Sequence, residues 1–197
     1  MESLTNEQTC ELFELISQSD QAAFDRLFRA FFKPLVMFSC GYVNDKSTAS
    51  DIVQDTFVKL WQNRGSLSGI ASARAYIYTT TRNLSLNYIR DHARFETGTE
   101  LSETLAGDLT ETNVSWNDAF SDESSEGVYE KMQLLYHWVS QLSERQREAF
   151  GLSRFEGLDH QEIASVMNVS PRTVNNHIVD ALRNLQRMHE QHAQKFK

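Results

Sequence analysis

The sequence predicts an all-α protein of two small helical domains joined by an acidic linker. Three observations carry that reading. Only 8 Gly and 2 Pro punctuate 197 residues, too few for a chain built from sheets and tight turns. Apolar residues recur at helical spacing through both ends of the chain. Charge comes in blocks: residues 1–21 carry −5, residues 22–94 carry +5, residues 95–130 carry −10 and residues 131–197 carry +2, for a net charge of −8. The stretch 95–130 holds no Lys or Arg and is rich in Thr, Ser, Glu and Asp. Such a composition buries too little surface to offset chain ordering, so it reads as a linker, a solvated tether or a segment laid in a partner's basic channel. The domains are then 1–94 and 131–197.

In the first domain, Thr5 with Gln8 makes a capping box, and Leu12, Phe13, Leu15 and Ile16 follow on an amphipathic helix. Asp20 caps a second helix, where Phe24, Leu27, Phe28 and Phe31 recur as core. Pro34 marks a kink or helix boundary ahead of the apolar run from Leu35 to Cys40. Residues 51–64, DIVQDTFVKLWQNR, put Ile52, Val53, Phe57 and Leu60 on one face. Asp51, Asp55, Val58 and Gln62 form the opposite row, with Gln54 and Lys59 beside it. NRGSLSGIASA then reads as a loop. After it a long helix turns Ile77, Leu84 and Tyr88 inward. Its other face carries Tyr76, Asn83, Asn87, Arg90 and Arg94 in one row, with Arg82 beside them. Amides and guanidiniums interleaved with an aromatic suit a single nucleic-acid strand, because cations track phosphate while rings stack on bases.

In the second domain, Met132, Leu135, Trp138, Val139 and Leu142 line an amphipathic helix. Ser143 with Gln146 makes a second capping box, and Asp159 with Glu162 a third, opening a short helix. Ser170 caps the last helix and Pro171 takes its first position. The brief turn MNVSP between these helices, with small Ala164 before it, is a helix-turn-helix signal. Val174, Ile178, Ala181 and Leu185 form the inward row. Arg172, Asn175, Asn176, Val179, Asp180 and Arg183 point away, and Asn can read adenine while Val touches a thymine methyl.

Several function classes are excluded or disfavoured. No apolar run approaches the roughly 18 residues of a membrane span. The N-terminus lacks a basic segment followed by an apolar one, so no secretory signal is expected and the cytoplasm is the expected location. Cys10 and Cys40 lie in unrelated contexts, which excludes a disulfide scaffold and a cysteine zinc site. No Walker loop, H-E-x-x-H or glycine-rich phosphate cradle occurs. His189 and His192, the nearest histidine pair, read as a solvated helix face. An enzyme is not expected, nor a cofactor or metal. A nucleic-acid-binding protein remains; a stand-alone helix-turn-helix regulator is one form of it, which the acidic balance with the DIVQDTFVKLW segment disfavours.

SDQAAFDRLF, DIVQDTFVKLWQNR, ARAYIYTTTRNLSLNYIR, LSERQREAF and LDHQEIASVMNVSPRTVNNHI follow one another in order. Together they resemble the landmarks of the sigma-70 family of bacterial RNA polymerase initiation factors, and more narrowly its small two-domain, extracytoplasmic-function (ECF) group. The resemblance implies a region 2-like bundle over 1–94 and a region 4-like helix-turn-helix over 131–197. It implies core RNA polymerase as partner. Asp51, Gln54, Asp55, Val58, Lys59 and Gln62 would bind the clamp helices of the largest subunit, and the flap region of the second-largest subunit would be a further contact. Asn63, Arg64, Ser66 and Ser68, in the loop from about Asn63 to Ala73, would capture a base flipped from the melted −10 element of promoter DNA. Flipping costs a few kcal/mol of unstacking, so a pocket that recovers it discriminates among bases. Tyr76, Arg82, Asn83, Asn87, Arg90 and Arg94 would hold the strand around that base. Ser170, Arg172, Thr173, Asn175, Asn176, His177, Val179 and Arg183 would read the −35 element in the major groove. Asp180 stands on that same side, where relatives often place a basic residue. A membrane-linked anti-sigma factor is a further partner that the family implies.

Overall fold

The computed structural model describes residues 4–97 and 134–195, and among these all regular structure is helical. The chain divides into two compact units, Met1–Thr112 and Asn113–Lys197. The expected linker lies outside the described residues except for 95–97, which continue a helix. Met132 lies outside them as well.

The first unit holds α1 (Asn6–Ser17), α2 (Gln21–Val43), α3 (Lys46–Gln62), a 3₁₀ turn (Arg64–Ser66) and α4 (Ala73–Thr97). The Thr5–Gln8 capping box forms, and Asp20 accepts the Ala23 N–H at 3.0 Å. Leu12, Phe13 and Ile16 are buried, whereas Leu15 is exposed. α2 does not stop at Pro34 but runs through it to an αL residue, Asn44, at φ 54°. Proline removes one backbone donor, and burial of Phe31, Leu35 and Val36 on the same helix outweighs that loss. α3 begins earlier than residue 51 because Asp45 caps it, accepting the Thr48 N–H at 2.7 Å. That hydrogen bond holds the Asp45 carboxyl below its ordinary value.

Ile52, Val53, Phe57 and Leu60 are all buried, as their spacing predicts. Phe24 and Phe28 are half-buried core aromatics. The Phe28 ring lies 4.8 Å from Phe57, and Phe24 lies 5.0 Å from Trp61. On α4 the inward face differs from expectation. Ile77 is buried, but Leu84 and Tyr88 are only half-buried; Tyr78, Thr81, Arg82 and Ser85 are buried instead. The reason is a seam of hydroxyls. Ser39 of α2 and Ser85 of α4 meet at 2.9 Å, and the Thr56 hydroxyl of α3 lies 3.3 Å from that of Thr81. Thr56, Thr81 and Ser85 also donate to carbonyls one turn back in their own helices, so no buried hydroxyl is stranded.

The second unit comprises α5, described over residues 134–140, α6 (Glu144–Arg154), α7 (His160–Met167) and α8 (Pro171–Lys195). Val139, Leu142, Phe150, Ala181 and Leu185 form a buried cluster, with Leu135 and Trp138 packed against it. His189 and His192 are not simply solvated: both rings stand edge-on to Trp138, at 5.8 and 5.7 Å. Ser143 opens α6 without a side-chain cap bond. Gln146, whose side chain the expected box would turn back to the Ser143 N–H, instead accepts at Oε1 from Asn184 Nδ2 of α8 at 3.0 Å. The Asp159–Glu162 box does form.

Candidate nucleic-acid interface

Four surfaces assemble from these elements. Burial of the apolar row of α3 leaves Asp51, Gln54, Asp55, Val58, Lys59 and Gln62 exposed together. Val58 is 51% exposed, an apolar side chain standing among charges. Where α3 ends, Asn63 Nδ2 donates to the Lys59 carbonyl at 3.0 Å.

The loop that follows is tied down along its length. Arg64 is half-buried: its Nε donates to Ser19 Oγ and its Nη1 to the Trp61 carbonyl, both at 2.9 Å, with the guanidinium 4.8 Å from the Trp61 ring centre. Ser66 Oγ donates to the Asn63 carbonyl at 2.8 Å. Leu67 is fully buried and anchors the loop in the core. Ser68 Oγ and the Gly69 N–H both donate to the Glu14 carboxylate of α1, each at 2.7 Å. Those bonds hold the Glu14 carboxyl below its ordinary value, with the Gly69 N–H the larger cause. Gly69 sits at φ 76°, a conformation that side chains resist. Ser72 closes the loop, its Oγ accepting the Ala75 N–H at 3.2 Å at the start of α4.

Along α4, Asn83, Asn87 and Arg90 are exposed in one row, and Arg90 Nε lies 3.5 Å from Asp91. Tyr76 is half-buried, edge-on to Phe13 with ring centres 6.0 Å apart. Arg82 does not join this row. It is only 9% exposed, turned to the side of α4 that carries Thr81 and Ser85. The Arg94 side chain lies outside the described residues.

In the second unit, α7 ends in an αL residue, Asn168, and the Ser170 hydroxyl accepts the Thr173 N–H at 3.1 Å to start α8. Val174, Ile178, Ala181 and Leu185 are buried. That leaves Arg172, Asn175, Asn176 and Arg183 exposed and Thr173, His177 and Val179 half-exposed. Asp180 is paired, with Arg183 Nη1 3.2 Å from its carboxylate. The pair stands in solvent and contributes little stability, but it screens the acid.

Two family matches fall on these units in order: sigma-70 region 2 over residues 27–95 and sigma-70 region 4 over residues 132–185. The chain belongs to the sigma-70 family. Among curated relatives it is 27% identical over 178 residues to the RNA polymerase sigma-H factor of Pseudomonas aeruginosa, covering 90% of this chain and 92% of that one. It is 24% identical over 170 residues to the ECF RNA polymerase sigma-E factor of Escherichia coli K12, covering 86% and 88%. The fold is similar to that of CnrH, solved with the cytosolic domain of CnrY, at a TM-score of 0.62 and 18% identity over 93% of this chain and 98% of that one. It is also similar to that of the sigma factor RpoE of Bartonella quintana, solved with the anti-sigma factor NepR, at a TM-score of 0.62 and 20% identity over 85% and 96%. By its two regions and its relatives, this sigma-70 factor is of the ECF group.

Within this sigma factor, the residues named on α3 are exposed together, and those named on α8 are exposed or half-exposed. The loop set is more mixed, because Arg64 and Ser68 spend their polar groups on Ser19, Trp61 and Glu14. Sequence reading missed Asn6, Cys10 and Glu14 as loop-holding residues. The signal available was weak: three polar side chains at a four-residue spacing on a helix whose opposite face is apolar.

Proposed function

We propose that this chain is a dissociable specificity subunit of bacterial RNA polymerase, binding the core enzyme and directing initiation from promoters with −10 and −35 elements. The observation that carries this reading is the order of the two sigma-70 regions on one chain, each with its exposed polar row. The α3 row supplies the surface for the clamp helices. The loop after α3 takes the flipped −10 base, Asn83, Asn87 and Arg90 track the strand, and α8 reads the −35 element. The boundaries 1–94, 95–130 and 131–197 divide these tasks, with the acidic segment as tether. No catalytic group is assigned, because the polymerase performs the chemistry; the cytoplasm is the compartment this role requires.

An anti-sigma partner belongs to the same reading, since both similar structures are complexes and one partner is named as an anti-sigma factor. Recovery of the native protein with polymerase alone, under every growth condition, counts against that partner. The central test is transcription by purified core polymerase with and without this protein on a genomic fragment library, with RNA starts sequenced. New starts sharing two spaced upstream motifs are expected. Initiation by core alone at the same sites overturns the proposal.

A further inference from the structure

Three side chains of α1 hold five consecutive loop residues. Glu14 accepts from Ser68 Oγ and the Gly69 N–H at 2.7 Å each. The Cys10 thiol lies 3.4 Å from the Ile70 carbonyl. Asn6 donates to the Ala71 carbonyl at 3.1 Å and accepts from Ser72 Oγ at 3.4 Å and the Arg74 N–H at 3.3 Å. The three residues are four apart, so they form one stripe along the helix. α1 is itself fixed in the bundle by buried Leu12, Phe13 and Ile16. Between residues 64 and 72 only Leu67 is buried. Beyond the Leu67 anchor, residues 68–72 therefore take their shape from α1 rather than from packing of their own.

We infer that Glu14 is a positioning residue for −10 recognition: it sets the form of the base-capturing loop, and hence which base the loop accepts, without touching DNA. This assignment rests on the reading of residues 63–73 as the loop that takes the flipped base. A loop already ordered loses no affinity to its own ordering when the base arrives. The opposite device is a latch, in which Glu14 occupies donors that DNA phosphate must win back. It makes the opposite prediction.

The test uses holoenzyme reconstituted from core polymerase and the full chain. Its probes are promoter fragments selected from the genomic library, with each −10 position substituted in turn. Glu14→Ala should reduce discrimination against the substituted base by about fivefold, as loss of one hydrogen-bonded anchor implies. Core affinity should hold, and the amides of residues 68–70 should exchange faster. Glu14→Gln, which keeps the side-chain length and one acceptor oxygen, should fall between Glu14→Ala and wild type, and serves if the alanine variant does not fold. Glu11→Ala, at an exposed acid nearby, should behave as wild type. Unchanged discrimination in both Glu14 variants, while Asn63→Ala and Ser66→Ala lose it, overturns the role of Glu14 alone. Tighter −10 binding by Glu14→Ala overturns it in favour of the latch. Discrimination untouched by Asn63→Ala and Ser66→Ala overturns the base-capturing reading itself, and the role of Glu14 with it.

Discussion

At Asp159 one carboxylate oxygen serves two backbone donors, the N–H groups of Gln161 and Glu162, both at 2.8 Å. Glu162 returns the bond to the Asp159 N–H at 2.9 Å. Asp159→Ala should therefore cost the second unit about 1 kcal/mol, the usual worth of an N-cap, read as a lower denaturation midpoint with unchanged slope. Glu14 and Asp45 are two carboxyls through which acid should act on the first unit. Both carboxyls are held below their ordinary values in the folded state by hydrogen bonds, chiefly from Gly69 and Thr48 respectively. Their stabilising contribution is complete above the ordinary carboxylate range and is lost as pH falls through the lowered folded values. Amide exchange in the loop, corrected for intrinsic rates, should rise on acidification below about pH 4. In Glu14→Gln the Glu14 part of that rise should vanish. Caps at Thr5, Asp20, Asp159 and Ser170 were legible in the sequence because their partners lie two or three residues away. The Ser143–Gln146 box was not, because the Gln146 side chain is engaged by Asn184, 38 residues distant.

The helices themselves were legible where apolar spacing is regular, as on α3 and α8, and less so on α4. Periodicity counts Leu and Tyr as inward and hydroxyls as neutral, so it favoured Leu84 and Tyr88. A Ser or Thr that bonds its own helix carbonyl acts as a small, nearly apolar side chain and lets a neighbouring backbone approach. Thr56, Thr81 and Ser85 stand fully buried on this basis, and Ser39 is buried against the Ser85 hydroxyl. Ser85→Ala should cost about 1 kcal/mol, because it leaves the Ser39 hydroxyl without that partner. The double variant Ser39→Ala/Ser85→Ala should cost less than the sum of the single changes, with a coupling of at least about 0.5 kcal/mol. Strict additivity in denaturation would show that the two hydroxyls do not interact. The loop after α3 was legible as a loop from its glycines and serines. Its fastening to α1 was not, since the thiol at Cys10 meets a carbonyl 60 residues on, and no local pattern records a contact of that span.

Across the whole molecule, the charge blocks distribute affinity. Residues 131–197 carry only +2, and on α8 Arg183 is already engaged with Asp180. Few phosphates can be neutralised there, so the chain alone should bind a −35 duplex weakly, with a log–log salt slope of about 2 in magnitude. Holoenzyme should bind the same fragment far more tightly, because two weak contacts on one chain act at high effective concentration. Filter binding across a salt series measures both, and tight sequence-specific binding by the chain alone would contradict this account. One feature of α8 reaches further. The buried row Val174, Ile178, Ala181 and Leu185 shares no residue with the exposed row Arg172, Asn175, Asn176 and Arg183. Under the proposed −35 reading, core composition and target sequence thus stand on separate sides of one helix. On that reading the DNA text can be rewritten, by inheritance or by design, without reopening the question of whether the domain folds.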